Sequence, residues 1–66
     1  MDESYRAWKR AEEIYEAALR NYEMAFAAID EALKTGGTPS DQQLRTESSA
    51  AEAVTNAKMW LRLVAP

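Results

Sequence analysis

Between Glu3 and Lys34 apolar and polar residues alternate with a helical period, and no Gly or Pro interrupts them. With Trp8 placed at position a of a heptad, Tyr15, Tyr22 and Ile29 also fall at a, and Ala11, Ala18, Ala25 and Ala32 fill every d. Leu19, Phe26 and Leu33 occupy e, while Ile14 and Ala28 occupy g. The b and f positions carry Lys9, Glu16, Glu23, Asp30, Arg6, Glu13, Arg20 and Lys34, with Ala27 the exception. A seven-residue repeat sustained this long predicts one coiled-coil-like helix over 3–34.

"LKTGGTPSD" follows at 33–41. Lys34 suits the last turn of a helix, and Gly36 or Gly37 supplies the left-handed residue that ends one. Thr38 then reads as the next N-cap, Pro39 as the first helical residue and Asp41 as a short capping-box partner. A phosphate-binding loop would need its Lys and Ser/Thr after the glycines, on a helix that follows a strand. Here the Lys precedes them and no strand is predicted, so the stretch reads as a turn over 35–38. The second helix is expected over 39–64, closed by Pro66. Its first half is polar, with Leu44 the lone large apolar residue. Its second half carries Ala50, Val54, Ala57, Leu61 and Val64 on one stripe, flanked by Ala53 and Trp60.

A connection this short makes the helices antiparallel neighbours. Folding about the glycines brings together positions whose numbers sum to about 73, so Ile29 meets Leu44, Leu19 meets Val54, and Trp8 lies near Trp60. The Ala and Tyr spacing over 11–33 is similar in places to a tetratricopeptide repeat. Such a repeat breaks after about 14 residues, and this segment has no breaker.

Composition narrows the function classes. Thirteen alanines against two glycines and two prolines suit long helices, and 47% hydrophobic residues argue against a wholly disordered chain. The net charge of −3 lacks the basic field that non-specific nucleic-acid binding needs. Cys and His are both absent, which removes disulfides, thiolate metal sites and the commonest general base. The longest apolar run, "MAFAAI" at 24–29, is far shorter than the roughly 20 residues of a membrane span. Beginning at Met1, with no tag, signal peptide or linker, the chain is expected to be a complete small cytoplasmic protein of one domain, 1–66.

Candidate chemistry is sparse. Glu12 and Glu16 stand one turn apart with Glu13 beside them, but carboxylate metal bundles pair such acids with His. The acids read instead as a solvated face, with favourable i,i+4 pairs at Glu16–Arg20, Asp30–Lys34 and Asp41–Arg45. At the open end, Tyr5, Trp8, Met59 and Trp60 are expected to gather with Arg6, Lys9, Arg10, Lys58 and Arg62. Aromatic rings among cations can clamp single-stranded nucleic acid or an acidic partner. The plainer reading has the two Trp residues plugging the end of a bundle. Asn21 at g and Glu47 on the second helix's stripe are the polar intrusions that would set register if buried.

One neighbour cannot cover apolar side chains at a, d, e and g together. The expectation is therefore an all-α hairpin that dimerises into a four-helix bundle, with Leu19, Phe26, Leu33 and Tyr22 at the dimer interface. The function expected is that of a small, non-catalytic structural or protein-interaction module, its partner a second copy or another helical protein. No cofactor, metal, membrane or small-molecule substrate is expected. The alternative is a nucleic-acid-binding hairpin dimer using the basic, aromatic open end. A plasmid RNA-binding protein has a similar hairpin-dimer architecture, an analogy at the level of fold alone.

Overall fold

The computed structural model describes residues 3–65; Met1, Asp2 and Pro66, the expected closing residue, lie outside them. Two α-helices, α1 (Glu3–Lys34) and α2 (Asp41–Val64), pack against each other as a hairpin. α1 has the bounds its heptads predict. At its end Gly36 adopts φ +80°, and two backbone bonds close a Schellman motif. In it the Gly37 N–H donates to the Ala32 carbonyl at 2.9 Å and the Gly36 N–H to the Leu33 carbonyl at 3.1 Å.

The start of α2 corrects the expectation. Ser40, not Thr38, is the N-cap, and the first helical residue is Asp41 rather than Pro39. The Gln43 N–H donates to Ser40 Oγ at 3.1 Å, and the Ser40 N–H donates to Gln43 Oε1 at 2.9 Å. This reciprocal capping box satisfies two otherwise orphaned donors with a side chain long enough to reach back. Asp41 instead places its carboxylate at the positive end of the helix dipole. With α2 starting at Asp41, the connection lengthens to 35–40.

α1 is the longer helix, with 32 residues against 24, an excess of about 12 Å at 1.5 Å per residue. Leu19 and Tyr22 lie beside Val54 and Ala51, which is the expected register. That register leaves residues 3–8 of α1 reaching past the end of α2.

The seam is built from small side chains. Ala11, Ala18 and Ala25 from α1 and Ala57 from α2 are buried, and no large side chain is fully enclosed. Around them Trp8, Tyr15, Tyr22 and Ile29 from α1, and Val54, Leu61 and Val64 from α2, are half-buried. The Ala row lets the helices approach closely, but a seam of methyl groups shelters little of the larger side chains beside it. The hairpin is a rod of 52 × 14 × 13 Å with a radius of gyration of 15.3 Å, where a globular chain of this length would have about 11 Å. No helix among the described residues is long and apolar enough to cross a membrane.

Candidate interaction face

One side of the rod carries an open apolar groove of about 170 Å³ lined by Leu19 and Tyr22 of α1 and Ala51 and Val54 of α2. Tyr22 extends it toward the turn, its ring tilted 32° against Phe26 with centroids 6.3 Å apart. Residues seven apart on a helix keep nearly the same face. Phe26 and Leu33 therefore continue the Leu19 row, and Leu44 and Lys58 continue the Ala51 row in either direction. Glu12 and Glu47 lie on the same side, seven residues before Leu19 and Val54. Phe26 is 53% exposed and Leu33 58% exposed, while Leu19 and Tyr22 are half-buried. The four residues expected at a dimer interface thus share one continuous face.

The open end is more dispersed than the sequence suggests. Tyr5 and Trp8 do meet, with ring centroids 6.2 Å apart, and Lys9 Nζ lies 5.9 Å from the Trp8 centroid. Lys9 also sits 3.4 Å from Glu12 Oε1, and its pKa is raised, chiefly by that hydrogen bond and then by the Glu12 charge. Its cation is already engaged by an acid of its own helix. Trp60 stands nine residues from Ala51, two and a half turns, which puts it on the far side of α2. Among the described residues no ring contact joins Trp8 to Trp60, and Trp60 is 49% exposed. The two Trp residues therefore do not close the end together. Arg6, Arg10, Lys58 and Arg62 are exposed, with Lys58 and Arg62 one turn apart on one face of α2 and Arg6 and Arg10 one turn apart on one face of α1.

The sequence reading singled out Met59 and Trp60 at the open end but missed the Leu63 that joins them in a second apolar cluster. Leu63, 78% exposed, stands one turn beyond Trp60, with Met59 one turn before it. Their i, i+3 and i+4 spacing is the signal that marks the patch. A further concavity, about 420 Å³ along Ser48, Ala51, Glu52, Thr55 and Asn56, lies on α2 alone and has no wall from α1.

Of the expected ion pairs, Asp30–Lys34 forms at 2.9 Å. Among the described residues the only other is Lys9–Glu12, so Glu16–Arg20 and Asp41–Arg45 stay beyond ion-pair distance. Asn21 faces water, whereas Glu47 is half-buried. Among the described residues no group of three or more acids gathers where a metal ion could sit. Compared with protein-family models, curated proteins and solved structures, the chain matches none.

Proposed function

We propose that this hairpin is a non-catalytic structural or protein-interaction module that works as a homodimer, two hairpins closing into a four-helix bundle over the Leu19/Tyr22/Phe26/Leu33 face. The observation that carries the reading is the surface left over. The chain exposes 5130 Å², where a compact monomer of 7.4 kDa would expose about 4,200 Å². The surplus of roughly 900 Å² is close to the 800 Å² that each partner buries in a standard interface. It goes with an alanine seam and with exposed Phe26, Leu33 and Leu44 on one side of the rod. Soluble monomers rarely keep a patch of that kind in water.

Sedimentation equilibrium at micromolar concentration, with circular dichroism alongside, tests the reading. A dimer of fully helical chains is expected; a stably folded 7.4 kDa monomer would overturn it.

The alternative, a nucleic-acid-binding hairpin, rests on the Tyr5–Trp8 ring pair and the exposed cations near it. A gel shift with mixed RNA and DNA that weakens steeply with salt would favour it over the first reading.

A further inference from the structure

The groove and its flanking charges are arranged symmetrically, and that symmetry bears on how a second copy would lie. The groove midpoint falls between Leu19 and Tyr22 on α1 and between Ala51 and Val54 on α2. Glu47 lies four residues before Ala51, and Lys58 lies four residues after Val54. The two are thus equally distant from the midpoint, each about 8 Å along the helix, on the same side of the rod. Glu47 is half-buried on the edge of an apolar seam, and among the described residues neither it nor Lys58 has an ion-pair partner within the hairpin. Of the other acids on this side, Glu12 and Asp30 are held by Lys9 and Lys34, whereas Glu23, seven residues before Asp30, is exposed and makes no ion pair among the described residues.

Resting on the homodimer reading above, we propose that the second copy lies antiparallel on this face, with the two-fold axis crossing the helices at the groove midpoint, so that Glu47 of each subunit meets Lys58 of the partner subunit. The same rotation sets Phe26 against Tyr15 of the partner subunit and Leu33 against Trp8 of the partner subunit. Phe26 and Leu33, exposed near one turn, are thereby each covered by a half-buried ring from the other copy. A parallel arrangement, with the axis along the rod, would lay α1 on the partner's α2 at equal height. That would press the carboxylate of Glu47 onto Phe26, where it would lose water without gaining an opposite charge.

Two measurements on the full chain test the arrangement. The chain has no Cys, so Thr38→Cys in the exposed turn gives one spin label per subunit. Antiparallel copies should place the two labels about 45–50 Å apart, from the helix rise on either side of the axis. Parallel copies would hold them within about 25 Å. Charge exchange is the second test. Glu47→Lys and Lys58→Glu should each weaken self-association by about tenfold, and the double variant, or an equimolar mixture of the two single variants, should recover it. A short label distance, or single exchanges that leave association unchanged, overturns the antiparallel pairing while the homodimer reading stands. A wild-type chain that stays monomeric overturns both.

Discussion

At the residue scale the turn carries the most specific demands. Gly36 alone among the described residues has positive φ, and a Cβ there would meet nothing within 4 Å, so the constraint at that position is purely backbone. At Gly37 the backbone is unstrained, but a Cβ would stand 3.3 Å from the Ala32 carbonyl oxygen, slightly tight. Gly36→Ala should therefore cost about 1 kcal/mol, from the left-handed conformation of an L-residue. Gly37→Ala should cost less, and both should leave association intact. Urea titration of the two variants checks the order, and equal losses would remove the conformational argument. Ser40→Ala should cost about 1 kcal/mol through the lost cap. Thr38→Ala, at the position the sequence suggested as the cap, should cost almost nothing by the same measurement.

At the scale of the helices, the heptad reading of α1 and the alanine seam agree in detail, because a seven-residue repeat keeps one row facing the neighbouring helix. Ala25, 8% exposed, lies where that row is closed off by α2. Ala25→Leu should overpack the seam and cost about 1–3 kcal/mol, read as a lowered thermal midpoint; an unchanged midpoint would put the Ala row on a loose side. α2 is less fully legible. Its stripe from Ala50 to Val64 runs as expected, but toward the turn the seam passes through Gln43 and Glu47 while Leu44 turns outward, 49% exposed. Hydropathy singles out Leu44 there; the face it occupies is set by the start of the helix at Ser40 and the register that follows.

At the scale of the whole molecule, a 52 Å rod with a methyl-lined seam leaves its larger apolar side chains to be covered from outside. Phe26→Lys would place a charge in the proposed contact at a cost of several kcal/mol. Its expected outcome is a monomer with much reduced helicity, since association and folding would be lost together. Leu63→Lys, on the other side of α2 and already 78% exposed, should leave both unchanged. Sedimentation equilibrium with circular dichroism on both variants separates the faces. Equal effects of the two substitutions would mean that the groove side has no special part in assembly.

The sequence by itself determined the helical class, the span of α1, the turn and the register of the hairpin. These follow from local rules, namely a repeat period, two glycines with a helix-starting segment after them, and the geometry of a short connection. The tertiary structure decided which apolar residues stay in water. It also decided that the aromatic residues of the open end fall on different sides of the rod. Those outcomes depend on how much a seam of alanines can shelter and on the rotation of each helix about its own axis, and no residue type carries that information alone.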